Sequence, residues 1–417
     1  MEDNVKLQLG HLIQYYRKKR KKEQVGSIYG QDKFINNFIT KEPICSIKTL
    51  YNIEHNQIVK NDDIYELLLK NLRMRYIYNE KYNDLIISLT QKLYKALEEH
   101  HKQSLLEVEK ELNENMDMKN YAIYKEFYLC CKLILNYELH RKISTDLEFY
   151  INIVSIFDSK LICMVAMIVN EINCETLVRK DIVNKCYMLF ENNHIDDSLY
   201  RLFMGKVYLY SGKYIQAYDI FLNLYNDNGT TNSLGNQLLI ITIIIRIESY
   251  LDITFTIQNR LNDLLHLLQY KRYFSKNLLL NTYIGMGILY YEADDYVKSI
   301  ECFNYAEQID RLSFILYAPY YYNANERLNK PIIIRNLESV KEIHPHYYNF
   351  AYYYTMKYKE YTNEYMLTYL MEEILKYLKI ATMGKSLDKI YLNETIQLAI
   401  KTRKYQMVVE YLSDFYT

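Results

Sequence analysis

Pro43-Ile44-Cys45-Ser46-Ile47-Lys48-Thr49-Leu50-Tyr51-Asn52-Ile53-Glu54-His55-Asn56 holds the outline of one helix, with its cap, its faces and its stop. Ser46 can accept from the free N–H groups of a first turn and is a natural N-cap. Ile47, Leu50 and Ile53 recur at three-residue steps and form one apolar stripe. Lys48, Thr49 and Asn52 fall on the opposite face, and all three can hydrogen-bond base edges or phosphates. Asn56 stands where the helix should end, and Asn tolerates the left-handed conformation that a helix stop requires. Taken alone, the pattern also fits an ordinary surface helix.

The stretch "ICSIKTLYNIEHN" resembles the recognition helix of Cro/repressor-like (XRE-type) helix-turn-helix regulators. It is nearest the "ICS…L..IE.G" form of bacterial regulators that carry tetratricopeptide repeats. Upstream, "LGHLIQYYRKKRKKEQ" is similar to the first helix of that family, with Arg17 on its helix-1 arginine. The resemblance implies that Arg17 pairs with Glu54 and ties the first helix to the recognition helix. It departs from the family at Asn56, usually Gly, and in the length of Gln24 to Ser46, which leaves the start of helix 2 open. The DNA-binding set that follows is Lys48, Thr49 and Asn52 at bases, with Arg17, Lys18, Lys19 and Lys41 at phosphates, and Ser46 and Gln31 beside them.

Around this stretch, Leu9, Leu12, Ile13 and Tyr16 give residues 5–22 a buried helical stripe that runs into the basic block Arg17 to Lys22. Such a block suits a solvated helix C-terminus, and beside a recognition helix it suits phosphate. Phe34, Ile35, Phe38 and Ile39 predict the apolar face of a helix starting near Gln31 or Asp32. Asn61-Asp62-Asp63 predicts a cap for a helix from Ile64 to about Tyr78, with Leu67, Leu68 and Leu72 inward. These elements make a five-helix-type head that ends near residue 75.

Charge divides the chain at the same place. Residues 1–75 hold 14 Lys and Arg against 9 Asp and Glu, a net +5; the chain sums to zero, so the remainder carries −5. A basic head on an acidic body suits a head that meets phosphate. Seven cysteines without a C-x-x-C pair, two of them adjacent (Cys130 and Cys131), fit neither a disulfide framework nor zinc spacing, and read as reduced, buried residues of a cytoplasmic protein. Met1-Glu2-Asp3-Asn4 opens acidic, with no signal-peptide pattern. The apolar runs Leu161–Val169 and Leu238–Ile245 are too short to span a bilayer and read as buried helices, so no membrane partner is expected.

No proline lies between Pro43 and Pro319, and Leu, Ile, Tyr, Lys and Glu dominate between them, which predicts helix almost throughout. "LYRLFMGKVYLYSGKYIQAYDIF" resembles a tetratricopeptide repeat, with Gly205, Tyr208, Gly212, Tyr214, Ala217 and Phe221 at its small, turn and aromatic positions. Gly205 and Ala217 would let two antiparallel helices approach, while Tyr208 and Phe221 fill the space around them. "YIGMGILYYEADDYVKSIECFNYA" is a second copy, through Gly287, Tyr290, Tyr296, Ser299, Phe303 and Ala306. A fainter third carries Ala399, Tyr405, Val408 and Leu412. The expected fold is all-α: a helix-turn-helix domain over residues 1–78, then a tetratricopeptide-like right-handed α-solenoid over 79–417. Its clearest repeats lie near 199–225, 281–308 and 390–415, in a total of about eight or nine helix pairs.

No H-E-x-x-H, G-x-S-x-G or dinucleotide glycine pattern occurs, and nothing marks an enzyme. The glycines of Gly205…Gly212-Lys213 are spaced too widely for a phosphate loop. His100-His101 and His344-Pro345-His346 lack Cys or acidic companions at ligand spacing; they read as exposed polar helix ends, and no metal or cofactor is expected. Stepping from the repeat motifs, the first helices should turn Lys206, Tyr210, Asn281, Ile284, Tyr291 and Glu292 toward a concave face, extended by Asn323 and Asn325. Asn can bond both N–H and C=O of an extended peptide, and Tyr offers flat contact area. The same residues could equally serve to pack repeats together.

A head and body of these kinds resemble the peptide-sensing regulators of Gram-positive bacteria (the RNPP group) and related phage peptide receptors. That resemblance implies a homodimer on operator DNA, controlled by a short signalling peptide in the repeat groove. The same group includes repeat proteins that act on response-regulator partners, so a protein-binding regulator without peptide control is the alternative.

Overall fold

A computed structural model describes residues 1–23, 28–144, 146–176, 179–193, 198–210, 212–227, 233–253, 256–342, 344–359, 361–375 and 385–416. The described residues are helical, with no strand among them and two isolated antiparallel bridges, Asn36 with Pro43 and His101 with Phe274. No helix among them is long and apolar enough to cross a membrane.

Four helices build the head: α1 (Asp3–Glu23), α2 (Gln31–Phe34), α3 (Ile47–Glu54) and α4 (Asp62–Asn71). Leu9, Leu12, Ile13, Phe34, Leu50, Ile53, Leu68, Leu69 and Leu72 form their common core. At Gly10 the first and third helices come so close that a Cβ would lie 2.5 Å from the Ile53 carbonyl oxygen, so any side chain there would push them apart. Two expectations fail here. The second helix is a single turn, and residues 35–46 that follow it are far longer than the three- or four-residue turn of a helix-turn-helix. The fourth helix ends at Asn71 rather than near Tyr78, with Arg73 in the left-handed region at φ 52°.

The body begins with α5 (Glu80–Glu98) and α6 (Lys102–Glu114), then α7 (Tyr124–His140), α8 (Leu147–Val154), α9 (Ser159–Glu175) and α10 (Lys180–Asn192). Next come α11 (Ser198–Tyr210), α12 (Tyr214–Asn226), α13 (Leu234–Tyr250), α14 (Ile257–Leu267), α15 (Lys276–Glu292) and α16 (Tyr296–Ile309). After these lie α17 (Ala318–Arg327), α18 (Pro345–Tyr358), α19 (Asn363–Tyr369), α20 (Lys385–Thr402) and α21 (Tyr405–Tyr416). The apolar runs predicted as buried helices are the centres of α9 and α13.

The two closest helix hairpins, α11 with α12 and α15 with α16, are the ones the glycines marked. A Cβ on Gly205 would sit 2.7 Å from the Phe221 ring, and one on Gly287 would sit 2.4 Å from Phe303. Both phenylalanines are fully buried, as are Ala217 and Ala306. Ser299 Oγ closes the second hairpin by donating 2.7 Å to the Gly287 carbonyl.

The head is fastened to the body through polar contacts of α1. Gln8 Nε2 donates 2.7 Å to the Ile156 carbonyl, and His11 Nε2 lies 2.7 Å from that of Asn152. Tyr16 Oη donates 2.7 Å to Glu126 Oε1, and Lys19 Nζ reaches Asp146 Oδ2 at 2.9 Å. Tyr76 stacks on Tyr124, whose hydroxyl donates 3.0 Å to Asn83 Oδ1 and so holds the connecting chain as well.

Candidate nucleic-acid interface

Helix α3 has the cap and stop read from its residues. Ser46 Oγ accepts the Thr49 N–H at 3.0 Å, and Asn56 takes φ 60° while the Gln57 N–H returns to the Asn52 carbonyl at 2.9 Å. Its inner face is anchored by a buried ion pair. Arg17 Nε donates 2.5 Å to Glu54 Oε1 and Nη2 donates 2.8 Å to Oε2, while Nη1 donates 3.0 Å to the Tyr29 carbonyl. Gln31 Nε2 reaches the same Glu54 carboxylate at 3.3 Å, so it braces α3 from α2.

The outer face differs from the expected one in composition. Lys48 is exposed, with Thr49 and Asn52 half-exposed beside it. Ile47, expected in the apolar stripe, is the first residue of α3 and is 48% exposed. Ser46 and Thr49 bond one another through their hydroxyls at 2.9 Å, and Ser46 is the capping group. Tyr51 and His55 complete the outer face: their rings stack at 3.9 Å, and His55 Nδ1 lies 2.8 Å from the Tyr51 carbonyl. The helical spacing that selected Lys48 and Asn52 also contains positions 51 and 55, so these two were within reach of the sequence.

The basic block divides. Arg17 is buried in its ion pair, Lys19 is spent on Asp146 and the Phe149 ring, and Arg20 donates 2.6 Å to the Leu72 carbonyl. Burial takes Arg17 out of its expected phosphate role, while Lys19 and Arg20 stay partly exposed with partners in the body and the head. Lys18, Lys21 and Lys22 remain exposed. Lys41 is also exposed, with its amine 2.8 Å from the Phe38 carbonyl.

The residues expected to grip a peptide fare differently. Lys206 is buried in an ion pair with Glu171, a group from α9 rather than open groove. Tyr291 is buried, its hydroxyl donating 2.6 Å to Asn323 Oδ1, and Asn323 and Asn325 are buried too. Glu292 is exposed and accepts from Ser249 and, at 2.6 Å, from Ser386. Asn281 and Ile284 are half-buried, Asn281 lying 3.4 Å from Asn277. The Tyr210 side chain lies outside the described residues. Lys206, Tyr291 and Asn323 are taken up by contacts with other helices rather than left open to a ligand.

Polar groups at α7, α9 and α15 instead converge inside the body. Ser275 Oγ donates 3.1 Å and Asn277 Nδ2 donates 3.3 Å to the buried Glu138 carboxylate. Burial, and next the charge of Glu171, push Glu138 up to about 7 against the pull of Lys206. Arg141 ties the same region to Glu175 at 2.8 Å and to Asn277 at 2.5 Å.

Beside this cluster a cavity of 540 Å³ is bounded by Glu98, His100, Ser233, Asn236 and Phe274 among others, and none of the expected peptide contacts lines it. His100 and His344 were expected on exposed helix ends, yet both are buried. Burial and then Lys206 hold His100 down at about 3, and its Nε2 has no hydrogen-bond partner among the described residues. His346 has no described side chain. Among the described residues no three His, Cys, Asp or Glu groups gather as metal ligands. None of the seven cysteines is in a disulfide, Cys45 and Cys174 being half-buried where full burial was expected.

No family model matches the chain, and neither a curated protein nor a solved structure matches it.

Proposed function

We propose that the chain is a sequence-specific DNA-binding transcriptional regulator of helix-turn-helix type whose body is a tetratricopeptide-like α-solenoid. The observation that carries the reading is α3: a capped helix held from behind by Arg17 and Glu54, presenting Lys48, Asn52 and Tyr51 outward. Lys48 and Asn52 are the donors and acceptors of its outer face, and a helix of this width fits the major groove. One such helix reads only a few base pairs, so the working unit is a homodimer on a palindromic site. A short signalling peptide bound by the body would then alter the geometry of the paired heads, which are docked to the body through α1.

The burial of Lys206, Tyr291 and Asn323 favours a second reading, in which the body binds a partner protein without peptide control. Selection of sites from random duplexes by the full chain tests the first reading. Asn52→Ala and Lys48→Ala should each lose roughly 1–3 kcal/mol on the selected site, with Asn52→Ala nearly silent on random DNA. Failure to enrich any sequence would sink it. Sedimentation of the free and DNA-bound chain tests the dimer, and calorimetry with short exported peptides against a candidate partner protein separates the two readings of the body.

A further inference from the structure

Between α2 and α3 the chain forms a small hairpin that a helix-turn-helix does not need. Asn36 and Pro43 pair as an antiparallel bridge, and the Ile44 N–H donates 2.7 Å to the Ile35 carbonyl. At the tip, the Asn37 N–H donates 2.8 Å to the Glu42 carbonyl, and Asn37 Oδ1 accepts the Ile39 and Thr40 N–H groups at 2.8 and 3.2 Å. From below, the buried Asn71 of α4 donates to the Phe34 and Asn36 carbonyls at 3.0 and 2.9 Å and accepts the Phe38 N–H at 3.1 Å. Phe38 packs its ring against Tyr29 and Phe34, with centroids 5.6 and 6.0 Å apart. The next residue, Ile39, is 90% exposed.

A tip braced this firmly is ordered before it meets anything, so little further entropy is lost when it binds. The brace holds Ile39 outward at the apex, open to a partner. We propose that the 37–42 tip is a second DNA-contacting element, which presses Ile39 into the minor groove beside the major groove entered by α3. This rests on the DNA-binding reading of α3. Three features favour DNA as the occupant. The tip belongs to the basic head, and near it in sequence the exposed Lys33, Lys41 and Lys48 outnumber the exposed Asp32 and Glu42. It runs directly into the Ser46 cap of α3. Seven residues lie between Ile39 and Ile47, and their eight chain steps, at most about 29 Å if extended, set an upper bound that admits the half helical turn, about 17 Å, between the major groove and the adjacent minor groove. Apolar side chains pressed between base steps in that groove partly unstack them.

The test uses the full chain and duplexes enriched by it from random sequence, carrying 2-aminopurine at steps flanking the selected site. Wild type should raise the 2-aminopurine fluorescence at one flanking step on each side. Ile39→Ala and Ile39→Asp should abolish that rise and weaken binding by roughly tenfold, with the selected sequence unchanged, while Ile39→Leu restores both. Ile39 is exposed, so an unaltered thermal midpoint is expected and confirms that the variants fold. Enrichment of a site with no fluorescence change and equal affinity for Ile39→Ala overturns the tip and leaves α3 standing. A dimer that falls to a monomer in Ile39→Asp without DNA also overturns it, in favour of a contact between copies. If wild type enriches nothing, both readings fall.

Discussion

Arg17 and Glu54 meet through two nearly parallel bonds of 2.5 and 2.8 Å, both side chains withdrawn from water. Coulomb attraction alone does not make such a pair stabilising, since each ion first loses its hydration. What the geometry does is orient α3, because the guanidinium is also tethered to the Tyr29 carbonyl. Glu54→Ala should therefore cost about 3–5 kcal/mol by leaving Arg17 buried without its partner. The double variant Arg17→Met, Glu54→Leu should cost less than either single change to alanine. Urea unfolding of the full chain measures both, and a double variant as damaged as the sum of its parts would contradict this account.

Gly285 and Gly287 sit two residues apart on α15 and should respond in opposite directions to alanine. A Cβ on Gly287 meets the Phe303 ring at 2.4 Å, well inside contact, so Gly287→Ala should lose about 1–3 kcal/mol by overpacking. A Cβ on Gly285 finds only the Thr242 methyl at 3.5 Å, and the helix gains up to about 1 kcal/mol in propensity. Thermal midpoints of the two variants should lie on either side of wild type; equal shifts would mean that α15 and α16 pack less closely than this.

These contrasts show where the sequence was legible. Cap and stop signals are local, so Ser46 and Asn56 could be read without knowing the fold. The glycines at 205 and 287 were legible for the same reason, each being set against a phenylalanine in the next helix of its own hairpin. The second helix was not. Phe34, Ile35, Phe38 and Ile39 have helical spacing, but Asn71, more than thirty residues away, takes the backbone groups that a helix would have used. Lys206 was illegible for a similar reason: its partner Glu171 lies thirty-five residues away, and only the tertiary arrangement brings the two together.

Docking of the head should depend on Tyr16. Its hydroxyl supplies Oε1 of the buried Glu126, whose other oxygen accepts the Ile123 N–H at 2.8 Å. Tyr16→Phe leaves that oxygen without its donor at a cost of about 1–3 kcal/mol. Because the contact spans head and body, the loss should appear first as faster proteolysis of the connection at residues 72–79, before global unfolding. Cleavage at the wild-type rate, together with an unchanged midpoint, would show that the other α1 contacts suffice.

Glu138 supplies the last prediction, a pH dependence set by burial. Its carboxyl is pushed up from an ordinary 4.5 to about 7 by burial and then by Glu171, with Lys206, Ser275 and Asn277 pulling the other way. An acid whose pKa is higher folded than unfolded favours folding while it stays protonated. Below about pH 4.5 both states hold the proton and nothing is lost. As the pH rises to 7, the unfolded chain releases its proton more readily than the folded one, and stability falls by at most about 3 kcal/mol. The histidines buried neutral, His100 above all, slope the opposite way below their ordinary 6.5, so the raw profile mixes the two. The difference between wild type and Glu138→Gln separates them. The variant should match wild type near pH 4 and exceed it at pH 8, by an amount that grows between those values. A difference that is the same at both pH values would mean that Glu138 keeps its charge inside the body, held there by Lys206.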